Sequence, residues 1–337
     1  IPGTWIESMQ VAKGSGSVVN GYESVSGQIN TELRKPLTDD KFFLNLFANV
    51  MERLELNAHY TSNINNKLDH GLYFHTNKKT TSADNNNDGF RDSPTVEQLN
   101  ILNRFQYTNL EKGLVGFFDF NYVFDERVYG ENEYIDGIIF AENQNYWGGK
   151  TDSEILKTNF KFGYVDPLIT YRSLGLQFAY TGIDMGSSFG FRSHDTKQTS
   201  IYSNLVYNSI IGDTRSKIKT GISLTYDEYD EFIFNNNTSL NNFEISRIEK
   251  SIGAYFEYNY DDLDKINLSA GLRFDNHNKI GNFISPRFHI KYQAFPKSTI
   301  KLSFGKATRV ANIFSENQKL FYSSREIILT ENSTPTD

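Results

Sequence analysis

From about residue 41 onward, apolar and polar residues alternate with a period of two, and no stretch of comparable length carries helical periodicity. In "FFLNLFANV", Phe42, Leu44, Leu46, Ala48 and Val50 share one face, while Asn45 and Asn49 take the other. "LELNAHY" sets Leu54, Leu56, Ala58 and Tyr60 against Glu55, Asn57 and His59, and "LVGFFDFNYVF" sets Phe118, Phe120, Tyr122 and Phe124 against Asp119 and Asn121. The pattern continues through "LKTNFKFGY", "LGLQFAY", "IKTGISLTY", "IGAYFEYNY", "NLSAGLRF", "RFHIKY" and "STIKLSFG". Successive side chains of a strand point to opposite faces, so each segment has one apolar and one polar face. Lys161, Glu257, Arg273, Lys291 and Lys301 all fall in the polar phase. The chain is therefore expected to be all-β.

Many of these runs reach nine residues or more, the length of a membrane-spanning strand rather than the five or six usual in soluble sheets. The connections alternate as well. Short ones ("SNINNKLD", "TNLEKG", "DPLITYR", "GDTRSK", "DDLDK", "QAFPKS") interleave with longer polar ones at 77–95, 128–152, 184–197 and 235–242, with a last one from about 308. Long loops on one rim and tight turns on the other is the arrangement of a transmembrane antiparallel β-barrel, with the short turns periplasmic. Tyr60, Tyr107, Tyr122, Tyr164, Tyr180, Tyr226, Tyr260 and Tyr292 near strand ends suit an interfacial girdle, and ordinary strand aromatics would look the same. About thirteen strands are legible, and bacterial single-chain barrels have even numbers, so the sheet is expected to be incomplete.

Composition agrees. Aromatics make up 15% of the 337 residues but hydrophobics only 38%, which suits a wall one residue thick better than a thick soluble core. There is no cysteine, hence no disulfide framework and no thiolate chemistry. The formal net charge of −7 argues against nucleic-acid partners, which require a basic footprint. No run approaches the roughly 18 apolar residues of a membrane helix. Neither an initiator Met nor a signal peptide precedes Ile1, and a fragment of a longer protein is expected.

The segment "KGSGSVVNGYESVSGQIN" carries Gly14, Gly16, Gly21 and Gly27 close to two phosphate-binding patterns, and satisfies neither. A dinucleotide fingerprint needs glycine where Val19 stands, and a P-loop needs Lys and Ser/Thr where Tyr22 and Glu23 follow Gly21. These glycines are read instead as turns and close backbone approaches.

With that reading, "WIESMQVAKGSGSVVNGYESVSGQINTELRKP" resembles the end of the plug domain of TonB-dependent outer-membrane receptors, of the kind found in Bacteroidetes-type bacteria. "ISPRFHIKYQAFPKSTIKLSFGKATRVANIF" is similar to two barrel strands of that family with the Arg-x-x-Asn segment that follows them, here Arg309 to Asn312, and "SREIIL" resembles the approach to the next strand. The resemblance implies that residues 1–36 are the C-terminal part of a plug inside the barrel and 37–337 a partial barrel with long extracellular loops. It implies part of a 22-stranded transporter, the TonB box, most of the plug and the remaining strands being absent. It also implies a location in the outer membrane of a Gram-negative bacterium and import of a scarce nutrient, such as a ferric siderophore or other metal chelate. The implied partners are outer-membrane lipid, the periplasmic TonB protein and an extracellular ligand.

Four constellations are candidates for chemistry. In "ADNNNDGFRDSP", Asp84, Asn86, Asp88, the Phe90 carbonyl and Asp92 stand at calcium-loop positions around Gly89, but Thr95 replaces the bidentate Glu. A weak structural calcium site and an Asx/Gly turn are both open readings, and no other cofactor is implied. "ERVYGENEYIDGIIFAENQNYWGGKTD" mixes Glu131, Glu133, Asp136 and Glu142 with Tyr129, Tyr134, Tyr146 and Trp147, which suits a ligand mouth or a solvated outer loop. "MGSSFGFRSHD" offers Phe189, Phe191, Arg192 and His194 to an anionic chelate, and Arg309 is a further ligand candidate. Catalysis is not expected, because no G-x-S-x-G elbow appears and the six histidines form no H-E-x-x-H pair.

Three functions fit the alternation: a plugged receptor, a passive porin, and a structural or adhesive barrel. The glycine-rich segment favours the first. If residues 1–35 sit inside the barrel, polar wall residues such as Asn45, Glu55, Asp119 and Lys301 are expected to hold them.

Overall fold

The alternation folds into one long antiparallel sheet whose strands follow one another in chain order. The computed structural model describes residues 1–24, 27–134, 146–190, 192–235 and 242–320. A separate antiparallel pair comes first, β1 (Ile6–Lys13) and β2 (Gly27–Leu33). The sheet proper has 13 strands: β3 (Phe42–Ala48), β4 (Arg53–Asn65), β5 (Leu68–Lys79), β6 (Thr95–Asn109), β7 (Leu114–Gly130), β8 (Gly148–Val165), β9 (Ser173–Phe189), β10 (Arg192–Ile211), β11 (Asp213–Asn235), β12 (Phe243–Asp261), β13 (Ile266–His277), β14 (Gly281–Phe295) and β15 (Ser298–Gly305).

Burial along each strand is inverted relative to a soluble protein. On β13, Leu272 and Phe274 are 54% and 49% exposed, while Arg273 and Asp275 between them are 1% and 0%. On β4, Leu54 and Tyr60 are exposed and Asn57 and His59 are buried; on β7, Phe118 and Phe120 are exposed and Asp119 is buried. Cross-strand register keeps the phase continuous, as in the row Leu205–Ile222–Ala254–Phe274–Ile284 across β10 to β14. An apolar face of this extent far exceeds the patches that soluble monomers expose, and lipid is the solvent that suits it.

The tight rim is built by side-chain caps. Asp262 Oδ1 accepts from the amides of Asp264, Lys265 and Ile266 at 3.0, 2.8 and 2.8 Å, and Asp166 Oδ1 from those of Leu168 and Ile169 at 2.9 and 3.1 Å. Gly113 closes the β6–β7 turn at φ +66°, where a Cβ would lie 1.8 Å from the Val165 carbonyl oxygen, so no other residue fits.

The opposite rim departs from the sequence reading. The segment 184–197 is not a long loop: β9 and β10 continue through it in register, Arg192 opposite Phe189, and turn at Gly190. The period-two pattern simply persists, with polar residues on both faces once the strands leave the apolar belt. β7 and β8 likewise shorten the 128–152 connection to residues 131–147. β11, at 23 residues, is about twice the length a spanning strand needs, so the β10–β12 hairpins stand well beyond the belt.

Substituting Arg for Leu272 is expected to destabilise the folded barrel by roughly 2–4 kcal/mol, the cost of a cation on the lipid face near the midplane. Lys301→Ala, in the opposite phase and exposed, should cost less than about 0.5 kcal/mol. Denaturant titration of the full-length protein in bilayers measures both.

Candidate functional site

Residues 1–40 lie against the polar face of the sheet, and the wall is shaped to receive them. Most inward positions are polar; apolar exceptions at Tyr73, Leu102 and Phe283 mark where the segment lands. Trp5, 2% exposed, packs with Tyr73 of β5 (ring centroids 5.9 Å apart), Leu102 of β6 and Leu33. Tyr22 meets the ring of Phe283 on β14 edge-on at 5.4 Å. Val18 is fully buried over Gly271 of β13, where a Cβ would come within 2.7 Å of the valine methyl. Glycine is needed there for close approach rather than for backbone freedom.

Polar contacts complete the seat, and the wall supplies most of the charge. Arg287 donates to the carbonyls of Gly16 (3.1 Å), Ser17 (2.6 Å) and Gly21 (2.7 Å). Arg273 donates to the Val18 carbonyl at 3.4 Å, and Asp275 and Ser223 hold its guanidinium in place. Ser17 donates to Glu257, and Thr4 to Asn57 at 3.1 Å. Among the described residues, none of the expected partners Asn45, Glu55, Asp119 and Lys301 hydrogen-bonds to this segment. The polar phase of the wall does meet the segment, but through β12–β14, whose arginines are long enough to reach main-chain carbonyls. Burial, with Glu23 beside it, pushes the Tyr22 phenol up to about 12, so it stays neutral.

The segment's own glycines shape it. Gly14, Gly21 and Gly27 have φ of +88°, +95° and +134°, and a Cβ on Gly16 would meet Ser24 Oγ at 2.4 Å. Where the segment enters the wall, Asp39 accepts from Arg34 (2.9 Å) and Tyr73 (3.1 Å) and faces His59 Nε2 at 3.3 Å. The His59 ring stacks on Phe43.

On the other rim, residues 84–92 and 131–134 are tied into a single body. Arg91, which the sequence reading passed over, forks onto three carbonyls: Glu131 (2.7 Å), Asn132 (3.0 Å) and Tyr134 (2.8 Å). The Asn132 amide donates back to the Gly89 carbonyl at 2.9 Å, and the Asn132 side chain donates to Asp84 at 3.0 Å. In the 84–92 turn, Asp84 accepts from the amides of Asp88 and Gly89, Asp88 from that of Phe90, and Asp92 from Asn85, while Asn86 donates to Asp88. These bonds close the Asx/Gly turn. Among the described residues no group of three or more His, Asp or Glu side chains converges as a metal site.

The ligand candidates separate into two groups. Tyr134 lies against Gly148 and Trp147 against Phe90 and Gly190, so both serve packing, while Tyr146 is 42% exposed. Arg192 is buried and donates to the Leu320 carbonyl at 3.4 Å, and Arg309 is exposed and pairs with Glu316 at 2.5 Å. Arg309 belongs to a strap, residues 306–320, that folds back over the polar face beyond β15, and Arg192 of β10 holds the strap's end. There Phe314 of the short helix α1 (Ile313–Glu316) is buried between Phe189 and Ile233, and Asn312 donates to Glu231 at 3.2 Å. Asp136, Glu142, Phe191 and "SREIIL" lie outside the described residues.

The barrel family described as "TonB dependent receptor-like, beta-barrel" matches residues 12–324. The chain belongs to this family. The fold is shared with the ferric enterobactin receptor PfeA of Pseudomonas aeruginosa (TM-score 0.70, 12% identity), covering 94% of this chain and 51% of that one. It is also shared with the siderophore receptor PirA of Acinetobacter baumannii (0.68, 16%; 93% and 49% covered) and the FrpB iron transporter of Neisseria meningitidis (0.67, 16%; 96% and 55%). The chain therefore spans about half the length of these receptors. A search of curated proteins returned no match.

Replacing Arg91 by Ala should unlock the loop pair. Three hydrogen bonds to a charged donor are lost, each worth about 1.5–3 kcal/mol. Hydrogen exchange at the Glu131, Asn132 and Tyr134 amides is expected to quicken by tenfold or more (roughly 1.4 kcal/mol per tenfold). Lys at this position should restore little, since it cannot fork.

Proposed function

We propose that the full protein is an outer-membrane, TonB-dependent receptor that imports a scarce nutrient, such as a ferric siderophore or other metal chelate, into the periplasm. The observation that carries this reading is the segment 1–40 seated on the polar face. A passive porin has no use for a wall pre-shaped at Gly271, Tyr73 and Phe283 to hold a stopper. The receptors named above, described as taking ferric enterobactin, siderophores and iron, support an iron chelate as the ligand class. On this reading residues 1–36 are the last part of the plug, 37–337 are part of a closed barrel of about 22 strands, and lipid covers the apolar face.

The contacts suit a part that must move. Arg273 and Arg287 hold carbonyls, and such hydrogen bonds are individually worth about 0.5–1.5 kcal/mol, roughly twice that where charge assists. A pull from TonB on the plug can break them one after another while the inter-strand ladder of the wall stays intact. Tyr146 and Arg309, both exposed, are available to a ligand at the outer mouth, and the Arg91 clasp fixes residues 131–134.

Cysteines at Ser17 and Glu257, joined by a short bifunctional reagent in the full-length receptor, should abolish iron-chelate uptake by cells and leave surface binding unchanged. Continued uptake after complete crosslinking would reject a moving plug. In planar bilayers the intact receptor should conduct almost nothing, and deletion of residues 1–36 should open it; an open intact barrel would restore the porin.

The spacing of Asp84, Asn86, Asp88 and Asp92 also supports weak calcium binding, with affinity of about millimolar. Calorimetric titration of the receptor should give a heat that disappears in Asp84→Ala/Asp88→Ala. No heat in the wild type leaves the turn alone.

A further inference from the structure

The N-terminal segment and the strap share one strand of the wall. Along the inward face of β12, Glu257 accepts from Ser17 and Ser251 lies beside the Tyr22 hydroxyl. Further along, Arg247 donates to the Ala311 carbonyl at 3.3 Å and Ile245 packs against the cluster around Phe314. The segment therefore covers the stretch toward the tight turns, and the strap covers the stretch toward the long-loop rim. They meet at Glu249, between Ser251 and Arg247.

That junction is crowded with carboxylates. Glu249 stands directly opposite Asp227 of β11, and Glu23 of the segment lies within electrostatic reach of both. Like charges so placed repel and need a countercharge. Two arginines supply it. Arg247 pairs with Glu249 at 2.7 Å and lies over the Tyr229 ring, 4.7 Å from its centroid. Arg309 acts on Glu23, and it comes from the strap. The seat of the segment thus draws on a cation that the strap delivers.

The strap is built to lift as one piece. Asn312 Oδ1 accepts from the Ser315 amide at 2.9 Å and Glu316 accepts from the Asn312 amide at 3.1 Å, so α1 caps itself. Among the described residues a single main-chain bond joins strap to wall, Lys306 N to the Pro286 carbonyl at 3.1 Å. The remaining ties are side chains: Phe314 in its socket, Asn312 on Glu231, and Arg247 and Arg192 on strap carbonyls. These can part together while the strand ladder stays whole.

We propose that the strap is a latch on the segment: Arg309 offsets the repulsion between Glu23 and the wall's acids, and departure of the segment frees the strap from its Phe189–Ile233 socket at the outer rim. Each element then stabilises the other, and the position of the plug is carried from the lumen to the rim. The inference rests on the receptor reading above, in which this segment moves.

Hydrogen exchange in the full-length receptor in bilayers tests the coupling from both ends. Arg309→Gln should quicken exchange at the Gly16 and Asn20 amides, bonded to the Ser24 and Ser17 carbonyls, by about fivefold or more. Phe314→Ala, which empties the socket but keeps Arg309, should do the same. Glu23→Gln should quicken the Asn317 and Leu320 amides of the strap by a similar factor, because coupling is reciprocal. Adding Glu23→Gln to Arg309→Gln should return the segment toward wild-type exchange, since no repulsion is left to offset. Lys319→Gln, which removes an exposed strap cation beyond α1, should change nothing. Exchange that quickens only at the altered end, or a segment loosened equally by Lys319→Gln, would overturn the latch. Uptake that continues without TonB would instead overturn the receptor reading and leave the measured coupling standing.

Discussion

Everything in this molecule depends on a wall one residue thick whose two faces meet different solvents. In a soluble sheet the apolar phase is buried and the polar phase is wet. Here Arg273 and Asp275 are buried, and Leu272 and Phe274, one position away on the same strand, are exposed. Only a chain with lipid outside and its own polar groups inside makes that assignment favourable, because backbone and side-chain polar groups on the outer face would have no partner. Strand order, register and the absence of a thick core all follow from it.

The inner face must then satisfy its buried charges, and that requirement is what gives the N-terminal segment its place. Arg273 and Arg287 would be costly to bury without partners. Asp275 and Ser223 satisfy part of Arg273; the carbonyls of residues 16–21 supply the rest. The N-terminal segment thus completes the wall's hydrogen bonding, so its seating and the wall's stability are coupled. Water is an acceptable substitute for these carbonyls, so under the proposed function the wall would survive displacement of the segment.

Much of this was legible in the sequence, because period two is a property of single strands and needs no tertiary knowledge. Leu54 against Glu55 or Phe120 against Asp119 can be assigned to faces from their order alone. What could not be read were contacts set by reach across strands. Arg91 and its three carbonyls lie about 40 residues apart, and Arg287 meets Ser17 some 270 residues away. One signal was available and unused. Tyr73, Leu102, Phe189, Ile233 and Phe283 are apolar residues in the inward, polar phase, and each marks a place where the N-terminal segment or the strap packs. The 184–197 segment was misread for a related reason: above the apolar belt both faces are polar, so a continuing strand looks like a loop.

The inverted wall itself can be measured directly. Nitroxide labels placed singly at positions 250 to 258 of β12 in the full-length protein in bilayers report accessibility to oxygen, which concentrates in lipid, and to a polar relaxation agent, which does not enter lipid. Even positions within the belt, Ile252, Ala254 and Phe256, should show high oxygen and low polar accessibility, and odd positions Gly253, Tyr255 and Glu257 should be protected from oxygen. Alternation in the opposite phase, or none, would contradict the account.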